Sequence, residues 1–178
     1  MSEPSTMASI ARRYIRVLDM INRGIMFLLF VVLATMAVIM VAHVCTRYFL
    51  NHSFSWSEEA VRYMMLWLVF LGAAIVTRRA GMIAARVVVD NLPRRPRLIV
   101  SALGGGIVVV TLGVLVVAGF AVAISMAGRQ SAATGISLML PYLSLPVGGV
   151  FMILNHFAAL LQSYFLPAEA ETEPEVTY

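Results

Sequence analysis

Charge is what this chain has least of: Asp, Glu, Lys and Arg make up 12% of its 178 residues, and all 13 basic residues are arginine. Set beside 61% hydrophobic residues and a mean hydropathy of +0.89, that scarcity excludes an ordinary soluble domain. The single cysteine, Cys45, rules out an internal disulfide and leaves the redox compartment unread. No metal-spaced cluster, phosphate-binding glycine loop or nucleophile–base motif is present, so neither an enzyme nor a cofactor or metal site is expected. The net charge of +4 does not point to nucleic acid either, because these arginines flank apolar runs instead of gathering on a water-facing surface.

What the chain does have is uncharged length. Residues 24–46 and 98–128 carry no charge, and about 20 apolar residues suffice to cross a bilayer. The expected architecture is an all-α integral membrane protein: a cytoplasmic amphipathic arm at 1–23, a four-helix domain at 24–166 and an acidic disordered tail at 167–178. The spans are expected near 25–44, 57–77, 98–128 and 141–166. The first is too long for a signal-peptide core and is followed by no small-residue cleavage site before Arg47, so it reads as a retained helix. Ahead of it, Ile10, Tyr14, Val17, Leu18 and Ile21 recur at helical spacing opposite Arg12, Arg13, Arg16 and Asp19. This suits a helix lying on the membrane surface; the alternative is a frayed basic tail that only sets orientation.

The second span opens on charge. Glu58, Glu59 and Arg62 stand in its first turns, with Ser55 or Ser57 available as caps and Ser55-x-x-Glu58 fitting a capping box. Its strictly uncharged part, 63–77, covers about 22 Å against a hydrocarbon core of about 30 Å, which puts the three charges near the headgroups. There the helix dipole favours the carboxylates, and the spacing of Glu58 and Glu59 from Arg62 allows local ion pairs. A rim position argues for anchoring or docking over a proton relay, for which the spans offer no other carboxylate.

A basic cytoplasmic loop with Pro93 and Pro96 is expected between the second and third spans, with a second interfacial helix around Met82, Ile83 and Val87. The third span would make about 46 Å of helix and must tilt or project. Small residues four apart, including Gly105, Gly106 and Gly119, would admit a neighbouring helix; the alternative is that glycine and alanine are simply common in membrane helices. Residues 130–140 read as a connection or a short re-entrant piece, and Pro146 as kinking or starting the fourth helix.

Orientation follows from the arginines. With four spans, Arg12, Arg13, Arg16, Arg23, Arg78, Arg79, Arg86, Arg94, Arg95 and Arg97 share one side, leaving only Arg47, Arg62 and Arg129 of the 13 on the other. The positive-inside rule then makes both termini cytoplasmic. Arg12, Arg13, Arg16, Arg78, Arg79, Arg94 and Arg95 are the expected membrane-surface cations. On that topology His43 and His156 differ in depth by about 22 Å, which speaks against a shared haem; His156 with Asn155 reads instead as a helix–helix hydrogen-bond pair or a partner contact.

The run Phe54-x-Trp56-x-Glu58-Glu59-x-x-Arg62-Tyr63, followed by Trp67-Leu68-Val69-Phe70-Leu71-Gly72-Ala73 and Arg78-Arg79, resembles the small membrane subunit of tripartite ATP-independent periplasmic (TRAP) transporters, the DctQ-type family. Pro141-Tyr142-Leu143-x-x-Pro146-Val147-Gly148 is similar to that family's entry to its last helix. The chain departs from the family pattern at Met82, Arg86, Ser137 and Met139. The resemblance implies a bacterial inner-membrane scaffold, itself carrying neither solute nor ion. It would assemble with a large sodium-coupled permease subunit and share in docking a periplasmic substrate-binding protein for organic-acid uptake. Sodium is expected in the partner subunit. By the same analogy Trp56, Glu58, Glu59, Arg62 and Tyr63 form the docking surface, while Gly72, Gly105, Gly106, Gly119, Pro146 and Gly148 serve helix packing. An independent small four-helix ion or solute carrier is the competing reading. Reporter fusions at residue 90 are expected to report the cytoplasmic side; an external location would overturn the topology.

Overall fold

A computed structural model describes the backbone of residues 6–49, 54–91 and 94–165, and their side chains apart from 6–8, 82–95, 97–98, 101–102 and 163–165. The expected acidic tail, His52, and the side chains of Met82, Arg86, Arg94 and Arg95 therefore lie outside the described residues. Five helices follow in order: α1 (Thr6–Phe49), α2 (Ser55–Asn91), α3 (Arg94–Ser125), the single turn α4 (Met139–Tyr142) and α5 (Ser144–Phe165). Four segments are long and apolar enough to cross a membrane, at Ser9–Phe49, Ser55–Gly81, Leu103–Ser125 and Met139–Gln162.

Two expected breaks are helical. The amphipathic arm and the first span are one helix of 44 residues, because nothing between Arg23 and Ile25 stops it: Gly24 weakens a helix without ending it, and no proline follows. Likewise α2 continues through the basic stretch to Asn91, where Pro93 disfavours helical geometry in the residue before it. Pro96 is tolerated in the first turn of α3. The change in composition at these points marks a change of surroundings, not of backbone conformation.

The face that α1 buries also differs from the apolar stripe expected to meet the membrane. Ala11, Ile15, Leu18 and Asn22, at helical spacing, are buried, whereas Ile10, Val17 and Ile21 are exposed. Ile15 and Leu18 pack with Ala158 of α5, flanked by Tyr14, Leu154 and Leu161. The Tyr14 hydroxyl donates to the Leu154 carbonyl at 3.1 Å.

Of the most apolar 18 residues in each membrane-length segment, half are buried in the segment that contains α5, against none in α1 and 11% in α2 and in α3, which makes α5 the centre of the bundle. It packs on α1, α2 and α3, and α3 joins the rest mainly through it. Close approach explains this. A Cβ on Gly148 would lie 2.6 Å from Phe70 Cβ and 3.0 Å from the Phe70 backbone, and one on Gly149 would lie 2.7 Å from Val116 Cγ2. Gly119 of α3 meets Leu145 and Pro146 in the same way, at 3.0 Å. The start of α5 is set by Pro146, which has no N–H for the Tyr142 carbonyl; the chain turns at Leu143, and Ser144 Oγ donates to the Pro141 carbonyl at 2.7 Å.

Between α3 and α4 the chain makes a compact turn, closed by an isolated bridge between Gln130 and Ser137. Ser131 N–H donates to the Ile136 carbonyl at 2.9 Å and Gly135 N–H to the Ser131 carbonyl at 3.0 Å, with Gly135 at φ +67, a conformation open to glycine at little cost.

Gly148→Ala is expected to destabilise the detergent-solubilised protein by about 1–3 kcal/mol, since the added methyl meets backbone. Gly106→Ala, where a Cβ would meet nothing within 4 Å, should leave the thermal midpoint nearly unchanged. Equal midpoints for the two variants would refute this packing.

Candidate functional site

The head of α2 is held from two sides. Ser57 is 2% exposed, and its hydroxyl turns away from a capping position to donate to the Phe54 carbonyl at 2.6 Å. The same oxygen lies 2.6 Å from Nδ1 of His43, a buried residue near the end of α1. With the hydroxyl proton committed to Phe54, Nδ1 is the donor in that contact. The other ring nitrogen, Nε2, faces Glu58 Oε1 at 3.6 Å. On the opposite flank Ser131 Oγ donates to the Glu59 carboxylate and accepts from Thr134, at 2.7 Å from Oγ1 and 3.1 Å from N–H. The turn at 126–138 is thereby tied to α2.

This arrangement replaces the ion pairs expected within α2. Glu58 reaches towards α1 and Glu59 towards Ser131, and among the described residues Arg62 pairs with neither. An exposed i,i+4 pair is worth only about 0.3–0.5 kcal/mol, so contacts that also join two segments win easily. Trp56 is 46% exposed beside Phe54, with ring centroids 6.1 Å apart, Arg62 is exposed and Tyr63 half-buried. The rim thus presents an aromatic pair, a partly engaged carboxylate and an unengaged guanidinium on a backbone fixed from behind.

A second polar cluster lies at the other end of the bundle. Arg78, expected among the surface cations, is 6% exposed: it forms an ion pair with Asp19 of α1 and donates to Gln162 Oε1 of α5 at 3.1 Å. Nearby, Asn22 and Asn155 exchange amide hydrogen bonds, Nδ2 to Oδ1 at 2.6 Å in one direction and 3.2 Å in the other. Sequence reasoning marked Asn155 for a helix–helix hydrogen bond but set it with His156, and it missed Asn22, Asp19 and Gln162, whose bonded partners lie 59 to 133 positions away; the local hint to these was a carboxylate at Asp19 in a stretch otherwise rich in arginine. Arg12, Arg13, Arg16 and Arg79 are exposed.

His156 is buried between helices, its ring 3.9 Å from a Cβ built on Gly81 and 3.8 Å from one on Gly105. It pairs with neither Asn155, which bonds to Asn22, nor any other described residue through Nε2. His43 and His156 meet α2 at Ser57 and at Gly81, about 36 Å apart along the helix, too far to ligate one group. Of the packing glycines, a Cβ on Gly72 would lie 3.9 Å from Leu29 Cδ1, Gly119 and Gly148 make the close approaches described above, and Gly106 faces open space. Among the described residues no group of three or more His, Cys, Asp or Glu is placed to hold a metal ion.

The sequence model of the DctQ component of tripartite ATP-independent periplasmic transporters matches residues 36–165, from the C-terminal part of α1 to the end of α5. The sialic acid TRAP transporter small permease protein SiaQ of Vibrio cholerae serotype O1 is 31% identical over 121 residues, covering 68% of this chain and 70% of that protein. A putative TRAP transporter small permease protein of Haemophilus influenzae is 34% identical over 73 residues, covering 41% of this chain and 45% of the relative.

Ser57→Ala would leave buried Nδ1 of His43 without its partner and is expected to cost about 1–3 kcal/mol, read as a lower thermal midpoint in detergent. Glu58→Gln, acting on a long, exposed contact, should cost less than about 1 kcal/mol. A larger loss from Glu58→Gln than from Ser57→Ala would reverse this ranking of the contacts.

Proposed function

The chain belongs to the DctQ-component family of tripartite ATP-independent periplasmic transporters, and from that premise we propose that it is a non-catalytic scaffold within such a transporter. It is a multi-pass membrane protein of a transport system. On our reading it lies in a bacterial inner membrane with both termini cytoplasmic. It assembles with a large, sodium-coupled permease subunit and offers its periplasmic rim to a substrate-binding protein. The observation that carries this is the state of the charges. The Glu59 carboxylate is bonded to Ser131 at a rim, and Arg78 is engaged by Asp19 and Gln162, so these ionisable groups hold the bundle together. A relay would need such groups free to change partners along the membrane normal.

The exposed rim residues suit docking. Trp56 and Arg62 belong to the types that most often dominate binding energy at protein contacts, and both project from a backbone already held in place. The solute is an organic acid on this reading, and the sialic acid named for the Vibrio relative makes an acidic sugar a specific candidate.

Reconstitution separates this from an independent carrier. Liposomes with this chain alone should show no solute flux, and flux should appear only with the large subunit and the binding protein; flux by the chain alone would overturn the proposal. Arg62→Ala or Trp56→Ala should lower binding-protein-dependent uptake about ten-fold, as loss of a dominant contact does. Unchanged uptake and complex yield for both variants would reject the docking role.

A further inference from the structure

The end of the bundle that carries Arg78 also contains a groove of about 280 Å³ between α1 and α2. Asp19, Arg23 and Met26 line it from α1, and Ile75, Arg78 and Arg79 from α2. Three guanidiniums against one carboxylate leave a formal excess of two positive charges. Asp19 and Arg78 satisfy each other, so the excess resides on Arg23 and Arg79, both exposed and neither in an ion pair among the described residues. Single exposed arginines need no explanation; two converging on one groove beside a neutralised pair do.

The groove is also ordered by polarity. Met26 lies about one turn from Arg23, and Ile75 one turn from Arg79, in each case towards the uncharged part of its helix. The cations thus stand at headgroup depth and an apolar wall begins one turn deeper. A dissolved anion would have no use for that wall, and a zwitterionic lipid would gain little from two uncompensated cations. Arginine suits the remaining choice, since its planar fork matches phosphate oxygens and it is weakly hydrated at an interface.

We propose that this groove binds a phospholipid of net negative charge, its phosphodiester held by Arg23 and Arg79 and an acyl chain running along Met26 and Ile75. Basic pockets between membrane helices hold anionic headgroups by the same physics. The site is separate from the α2 head and independent of the scaffold reading: it requires only that the helices cross a bilayer.

Native mass spectrometry of the purified full chain tests it, with dioleoyl phosphatidylglycerol, dioleoyl phosphatidylcholine and inorganic phosphate as probes. Phosphatidylglycerol should be retained at least about ten-fold better than phosphatidylcholine. The double variant Arg23→Gln/Arg79→Gln should lose about 30-fold in phosphatidylglycerol affinity, from roughly five-fold per basic side chain at a membrane surface. Arg23→Lys/Arg79→Lys should keep the preference for the anionic lipid. Arg13→Gln/Arg16→Gln removes as much charge outside the groove and should leave binding within about two-fold of the parent. Equal retention of the two lipids, equal losses in the two glutamine variants, or displacement of phosphatidylglycerol by equimolar inorganic phosphate would each overturn the site.

Discussion

Between helices in hydrocarbon, an apolar side chain gains little by exchanging lipid for protein, so cohesion falls to close van der Waals contact and to polar bonds across helix pairs. Both converge on α5. Gly148 and Gly149, about 100° apart round the helix, open it towards Phe70 of α2 and Val116 of α3. Further along, Asn155 and Gln162 share a face and take the polar bonds from Asn22 and from Arg78. Two chemistries therefore meet on α5. Backbone proximity dominates for α2 and α3, and paired amides with a small apolar cluster dominate for α1.

That division places the α2 head. Packing against α5 orients α2, but its first turns are fixed by contacts from the two segments beside it, the end of α1 through His43 and the 126–138 turn through Ser131. Both ties are made by hydroxyls, which bind at short range without adding charge. The result leaves Trp56 and Arg62 outward, with neither carboxylate paired to Arg62 among the described residues. The family match starts at residue 36, so the rim lies wholly within it, whereas Asp19 and Asn22, the α1 partners in the inner network, precede it.

The number of spans was legible in the sequence because bilayer thickness is a ruler: about 20 apolar residues suffice to cross it, and four segments reach that length. Faces were not. Hydropathy separates water from everything else, so the apolar stripe that includes Ile10 and Val17 reads as a membrane-facing surface and gives no sign that Ala11 and Ile15 make the protein contact. Helix ends within charged stretches were hidden for a related reason: arginine at 78–97 signals departure from hydrocarbon, which a helix can do without unwinding. Arg78 shows the limit most plainly. As one of ten arginines on its side it reads as a topological signal, and only the fold brings Asp19 and Gln162 to it. The same holds for Ser57 and Ser131, ordinary helix-start and turn residues whose partners are set by tertiary geometry.

The continuity of α1 has a mechanical consequence. Its 44 residues make a rod of about 66 Å, twice the hydrocarbon thickness. It is clasped at His43 near one end and at Asp19 and Asn22 nearer the other, points separated by about 32 to 36 Å. A rod gripped twice cannot bend freely between the grips; it pivots. A rotation of about 5° about the His43 grip carries the grip at Asp19 and Asn22 about 3 Å sideways, as far as a hydrogen bond is long. The helix therefore works as a lever: a displacement at the rim can be accommodated only by re-seating the contacts of Asp19 and Asn22 on the opposite side of the membrane.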